Sequence, residues 1–307
     1  MTKELKDVLR NQASEIALVL GNGINRAERD GAASWKNILK DLSFPYPRLE
    51  YHENKKIGLS LLELFELMEI AEKRGDRGRT RRRFMKRIGR TTRNSSSKFR
   101  DETKARLLVD WANRCGAPIL TTNFDKNLVC ALDLDKHKSD RPQTDHYPWS
   151  TYYAPGKIKC PLSEFAIWHM HGVVDYKRSV KLSLADYVGM VTKAKSFIHG
   201  SGGIFSVDQN GDWRGSKTWL DVFFRKKLLF IGLGLEPQEI FLRYMLLQRK
   251  KYFKHHGLRG VRTWFAIPQE EASEQYSGRQ AFLGAIGAKT VVVPTHQSLY
   301  DSQVWKS

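Results

Sequence analysis

Apolar residues fall along this chain in short unbroken runs, separated by stretches with helical spacing. Ile16 to Leu20 is five apolar residues in a row, the pattern of a strand buried on both faces. Pro118 to Asp125, Phe165 to Gly172 and Leu228 to Gly234 repeat it, each apolar at first and ending in Gly, Asn, Asp or His. Arg262 to Ile267 and Lys289 to Val293 read as two further strands. Between them lie helical patterns. Leu5, Val8 and Leu9 share a face after Thr2. Trp35, Ile38, Leu39 and Leu42 follow Ser34 as a cap and stop before Pro45 and Pro47. Ile57 to Ala71 carries Leu61, Leu62, Leu64, Phe65 and Met68 on one side. A helix over 101–114 ends at Gly116, a residue suited to a helix C-terminus. Pro237 reads as the first residue of a long helix to about Lys254, and another helix ends near Gly287. Gly200 to Gly215 reads as a surface loop. Strands alternating with helices predict an α/β fold: a largely parallel six-stranded sheet with helices on both faces. Ligands of such sheets bind at the carboxyl ends of the strands.

The first of those ends is Gly21-Asn22-Gly23-Ile24-Asn25. Glycine lets a backbone turn sharply and lie against a ligand, and a helix opening there would aim N–H groups at an anion such as a pyrophosphate. The third glycine of the dinucleotide fingerprint is missing, since position 26 is Arg26. A tight turn with no ligand fits the stretch equally well.

With 41% hydrophobic residues in 307, the chain can build a sizeable core. No apolar run is long enough to cross a bilayer, and the N-terminus is no secretory signal, so a soluble, cytoplasmic protein is expected. Cys115, Cys130 and Cys160 are too few and too scattered for a disulfide framework or a four-cysteine zinc site. The net charge of +19 suggests a polyanionic partner. Over half of it comes from Arg74 to Arg100, which holds twelve basic residues and the single acid Asp76. That run is either a solvated surface or a docking face for a protein partner or nucleic acid.

The order of the motifs adds more than any one of them. Gly-Asn-Gly-Ile-Asn, then Thr-Thr-Asn-Phe-Asp at 121–125, then His171-Gly172 after an apolar strand, then Ile-Gly-Leu-Gly at 231–234 resembles the sirtuin-like family of NAD-consuming proteins. Asn22, Asn25 and Thr122 depart from the family's alanine, serine and glutamine, and Leu233-Gly234 stands where deacylases carry two hydroxyl residues. With the zinc cysteines also missing, the chain is most similar to the divergent bacterial branch that hydrolyses NAD in antiphage defence. The resemblance implies a single Rossmann-like domain over 1–307 with a basic helical insertion at about 57–115. It implies NAD as substrate, cleaved to nicotinamide and ADP-ribose, and no zinc. ADP-ribosyl transfer, or non-catalytic sensing of NAD or ADP-ribose, are its alternatives. By the same resemblance Asn123 and His171 form the catalytic pair, with Asp125 beside them. Gly21, Asn22, Gly23, Asn25, Thr122, Gly232, Leu233 and Gly234 would hold NAD. Such an enzyme needs a gate, so a homo-oligomer that docks an acidic partner through the basic run is expected; a HerA-type ATPase as that partner follows only by analogy with bacterial defence operons.

The residue types suit that chemistry. Cleavage leaves positive charge on the ribose, so the site must hold the sugar and aim a nucleophile at C1′. Asn123 is a neutral donor and acceptor. Asp125 serves an oxocarbenium-like state or merely caps the next helix. His171, at a strand end and followed by a flexible Gly172, is the natural general base. His169 and His171 would share a strand face as a metal pair, but no third ligand is evident.

Overall fold

A computed structural model describes residues 3–28, 35–43, 59–76, 78–96, 103–140, 149–273 and 277–306. The expected roles of Ser34, Pro45, Pro47, Ile57 and Asp101 fall outside these residues, as do Arg77, Lys98 and Arg100 of the basic run. The side chains of Arg90 and Arg93 also lie outside the described set.

All six expected strands form: β1 (Ile16–Leu20), β2 (Ile119–Thr121), β5 (Ile167–His169), β6 (Lys227–Ile231), β7 (Thr263–Pro268) and β8 (Lys289–Val293). They are mutually parallel, in the order β5-β2-β1-β6-β7-β8. Two strands not expected from the sequence, β3 (Asp135–Lys138) and β4 (Thr151–Ala154), extend the sheet to eight strands among the described residues, by antiparallel pairing beyond β5. β3 shows no apolar run because it is an edge strand. It carries Lys136 and Lys138, charges that discourage another chain from pairing there.

Alternation along the strands supplies a core to each face. Ile16, Leu18 and Leu20 of β1 point to one side, with Ile119, Leu229, Ile231 and Val291. Helices α1 (Lys3–Gln12), α2 (Gly23–Glu28), α6 (Lys104–Arg114), α7 (Asn127–Cys130) and α12 (Ser302–Trp305) cover that side. Ala17 and Val19 point the other way, with Leu120, Trp168, Phe230 and Phe265. There α8 (Leu184–His199), α9 (Trp219–Arg225), α10 (Ile240–His255) and α11 (Ser277–Ile286) close the layer. Strands covered on both faces must be apolar at every position, which is why they read as unbroken runs. A third core joins α3 (Trp35–Ser43), α4 (Leu61–Ile70) and α5 (Arg79–Ser96) around Leu39, Phe65, Met68 and Phe84, with Val180 and Leu182. The helix before β2 is α6, capped by the Thr103 side chain, and it packs against α2 and α12 in the main layer.

Three expectations change. The long helix begins at Ile240, not Pro237. Leu235 takes a left-handed φ of 48° and buries its side chain, and this anchored turn postpones the helix. The 200–215 stretch is no simple surface loop, because Ile204 and Trp213 are buried and Trp213 Nε1 donates to Asp221 Oδ1 at 2.7 Å. Gly172 is not a flexible hinge. It sits at φ 98°, and a Cβ there would overlap the carbonyl of Ser179.

Candidate active site

The parallel strand order reverses direction at β1 and β6, the switch point where open α/β sheets bind ligands. The loops after these strands are sewn together. Gly21 N donates to Ile231 O at 3.1 Å and Gly23 N to Gly232 O at 3.0 Å. A Cβ on Gly21 or Gly23 would run into the Gly232 backbone, and Gly232 itself holds φ 65°. The glycine spacing therefore has a packing cause in the fold, and the Gly23 N–H is engaged within it. A Cβ on Gly23 or Gly232 would also meet the Tyr300 hydroxyl. That hydroxyl and His296 Nε2 are buried without a hydrogen-bond partner among the described residues. Both follow β8, and exposed Arg26 acts on both. Tyr300 and His296 were not picked out from sequence, although their place beyond a parallel strand's carboxyl end could have marked them.

Next along the sheet, the loop after β2 carries three of the expected residues. Thr122 N donates to Leu20 O. Asn123 is buried, its Nδ2 donating to Gly21 O at 3.2 Å and its N–H to Thr121 Oγ1 at 3.1 Å. Asp125 receives Asn25 Nδ2 at 2.8 Å on one oxygen and Asn127 N–H at 3.0 Å on the other. Asn25 Nδ2 also reaches Asn22 Oδ1 at 2.8 Å, and Asn127 Nδ2 returns to Asn25 Oδ1 at 2.8 Å. Burial pushes the Asp125 carboxyl up against these donors. Asp125 thus ties Asn22 and Asn25 to the start of α7. Its arrangement is that of a loop brace, the capping alternative in an extended form.

The two histidines part company. His169 ends β5, meets Tyr153 edge-on at 5.5 Å and places Nε2 3.0 Å from Asp125 O. His171 lies past the strand end and turns to the opposite layer, against Tyr187 at 5.4 Å and Phe241 at 5.9 Å. Tyr153 belongs to one face's core, Tyr187 and Phe241 to the other's. The expected shared face is lost because the strand stops at His169. Among the described residues no group of three or more His, Cys, Asp or Glu is placed to hold a metal. All three cysteines are free thiols.

His171 is 3% exposed, and burial pulls its imidazole down to about 4. Nδ1 lies 3.3 Å from the Tyr187 hydroxyl, while Nε2 has no partner among the described residues. The backbone behind it is fixed: Lys181 N donates to His171 O at 3.1 Å, and Ser179 Oγ braces Val173.

Leu233 is buried at the end of β6, while Gly234 is exposed with room for a side chain. The expected residues thus lie at the carboxyl ends of four adjacent parallel strands: the glycine loop after β1, Thr122 to Asp125 after β2, His171 after β5 and Gly232 to Gly234 after β6.

Residues 117–285 match the family model of the SIR2-like domain, more than half of the chain. The chain belongs to the SIR2-like domain family. The matched stretch includes Asn123, Asp125, His171 and Gly232 to Gly234, and the glycine loop lies ahead of it. Membership implies an NAD-binding, NAD-utilising protein on a Rossmann-like fold. No curated protein matches the chain significantly.

Proposed function

We propose that this SIR2-like protein hydrolyses NAD at the nicotinamide–ribose bond, releasing nicotinamide and ADP-ribose. The observation that carries the reading is His171: a neutral, buried imidazole whose Nε2 has no partner among the described residues, one strand away from Asn123 and two from the glycine loop. A purely structural histidine would be expected to satisfy both nitrogens, as buried polar atoms nearly always do.

In this reading the bond from C1′ to the nicotinamide nitrogen breaks, and its electron pair leaves with nicotinamide. Asn123, fixed through Gly21, holds a ribose hydroxyl or the attacking water. His171 offers Nε2 to the same group. Asp125 acts through Asn25, keeping the glycine loop and the Asn123 loop in one register. Gly21, Asn22, Gly23, Asn25, Thr122, Gly232, Leu233 and Gly234 form the wall along which the nucleotide lies, with Tyr300 and His296 beyond Gly23. The cysteines are scattered, so the reading requires no zinc.

An NAD hydrolase must be restrained in its host, and depletion of NAD on a trigger suits antiphage defence. We place the control on α5, in a homo-oligomer or with an acidic partner such as an ATPase of the HerA type. Phe84 on its inner face meets Phe124, between Asn123 and Asp125, at 6.1 Å, and Arg81 reaches Val180 O at 2.9 Å, next to the residue that holds His171. One helix thus touches both catalytic loops.

The test is nicotinamide release from NAD by the purified protein, alone and with candidate partners. His171→Ala and Asn123→Ala should each lower turnover by about 10²–10⁴-fold with folding intact. Near-wild-type turnover in either removes that residue from the site. Radiolabel from adenylate-labelled NAD on macromolecules would favour transfer over hydrolysis, and binding without cleavage would favour a sensor.

A further inference from the structure

Three polar atoms are sealed from solvent without a hydrogen-bond partner among the described residues in one neighbourhood: His171 Nε2, Glu239 Oε2 and Trp35 Nε1. Tyr187 connects them. Its hydroxyl lies 3.3 Å from His171 Nδ1, and its ring stacks on Trp35 at 6.4 Å between centroids. Its phenol is raised first by burial and then by the charge of Glu239. Phe241, two residues past Glu239, stands edge-on to the His171 ring. A buried polar atom left unpaired costs about 1–3 kcal/mol. Three of them, on residues that stack on Tyr187, face its hydroxyl or act on it by charge, indicate a polar ligand that completes the set.

Glu239 has a second peculiarity. It occupies the N-cap position of α10, yet its side chain caps nothing. A residue there for the helix alone would turn its oxygens onto the first free N–H groups. One carboxyl oxygen is instead buried without a partner among the described residues, and its charge is felt at Tyr187.

We propose that Glu239 is a further catalytic residue of this site, the group that takes the proton from the water attacking C1′ of NAD. The proposal rests on the hydrolase reading above. As the bond from C1′ to nicotinamide breaks and its electron pair departs with the leaving group, the water oxygen bonds to C1′. One water proton passes to the Glu239 carboxylate and then to solvent. His171 accepts a hydrogen bond at Nε2 and orients the water or the sugar, and Trp35 Nε1 donates to the same ligand. A negative carboxylate also favours the cationic ribose as it forms.

The division of labour follows from basicity. A proton acceptor works best when its pKa lies near the working pH. Burial holds His171 near 4, a weak base. Burial, helped by Glu236, brings Glu239 up to about 7. The titratable groups that act with it are Glu236 on its own loop and Tyr187 on α8, which also feels Asp186.

The experiment measures nicotinamide release from pH 5.5 to 8.5 for the full-length protein and for Glu239→Gln, with NAD binding by calorimetry and folding by thermal melt. Wild-type turnover should rise about tenfold or more through an inflection near pH 7. Glu239→Gln should bind NAD within several-fold of wild type, turn over about 10²–10⁴-fold more slowly, and lose the inflection. A flat wild-type profile overturns the proposal without any variant, which covers a Gln protein that fails to fold. Equal turnover and an unchanged profile in Glu239→Gln overturn the role of Glu239 alone. Wild-type protein that binds NAD but releases no nicotinamide under any condition overturns the hydrolase reading and this role together.

Discussion

Arg81 Nη2 donates to Asp186 Oδ2 at 2.8 Å, fastening the basic helix α5 to the start of α8. The same guanidinium reaches Glu69 at 3.2 Å and the carbonyl of Val180 at 2.9 Å. The two carboxylates respond differently. At Asp186 burial opposes the charge, but Arg81 and the Leu182 N–H outweigh it, so the carboxyl falls below its ordinary range. At Glu69 burial prevails over Arg81 and the carboxyl rises. Arg81 is thus a structural member of a run that reads in sequence as uniform surface charge.

Arg81→Ala should cost about 2–4 kcal/mol, because it strips charge-assisted bonds from two half-buried carboxylates and a carbonyl. Arg81→Lys should recover only part, since an ammonium cannot reproduce the planar fork. Thermal melts check the loss. NAD turnover should fall as well, because Val180 precedes the residue whose N–H holds His171. Wild-type stability in Arg81→Ala would show the bridge to be idle.

Two glycines separate packing from ligand contact. Gly172→Ala forces a side chain into φ 98° and onto the Ser179 carbonyl, so about 1–3 kcal/mol of strain is expected, with His171 displaced. Gly234 has no such constraint; an added Cβ would meet Glu236 Cγ at 3.5 Å and Oε1 at 3.8 Å, ordinary contacts. Gly234→Ala should therefore melt within about 0.5 kcal/mol of wild type. If Gly234 lines the nucleotide, KM for NAD rises in this stable protein, and an unchanged KM takes it off the list of NAD contacts.

Stability should depend on pH in two opposed ways. His169 and His171 fall from 6.5 to about 4 in the folded chain, so the unfolded chain binds more protons between those values. Their contribution is present above pH 6.5 and lost as pH falls toward 4. Glu239 rises from 4.5 to about 7, so its contribution is present below 4.5 and lost as pH rises through 7. Glu239→Gln should consequently be more stable than wild type at pH 8, by on the order of 1–3 kcal/mol, with the gain gone near pH 4.5. Melting both proteins across that range checks the sign, and a gain independent of pH would contradict it.

The sheet was legible in the sequence because its strands are buried on both faces, and five apolar residues such as Ile16 to Leu20 have no other comfortable place. β3 was not, because Asp135 to Lys138 is the polar edge. The site was half legible. Strand ends announce Asn123, Asp125 and His171, since a polar residue closing an apolar run is visible without coordinates. Trp35, Tyr187 and Glu239 come from helices and a helix start, where an aromatic or an acid looks like packing or solvent surface. Only the fold shows that Tyr187 stacks on Trp35, faces His171 and feels the charge of Glu239. The glycine loop carries a constraint that its spacing alone does not reveal: a Cβ on Gly21 or Gly23 would run into the Gly232 backbone.

The remaining charge on α5 can be tested apart from Arg81. Phe84, Met85 and Ile88 face the helical core, which leaves Lys86 and Arg87 exposed and Arg83 half-buried on the outer side. Arg87 reaches Asp41 at 3.1 Å, but both side chains are more than half exposed, and such a pair adds at most about 1 kcal/mol. Changing Arg83, Lys86 and Arg87 to Glu should therefore leave the melting temperature near wild type while reversing the field of this face. If an acidic partner or a second copy docks here, its binding should weaken at least tenfold, and wild-type binding should itself weaken as salt rises from 50 to 300 mM. Partner-dependent NAD turnover should drop in step, because the inner face of the helix holds Phe124 and Val180. Oligomer mass, partner affinity and nicotinamide release all at wild-type values would make this face a solvated surface and move the control elsewhere. Loss of nucleic-acid binding alone, with mass and turnover preserved, would point to a nucleic acid as the polyanion that the charge serves.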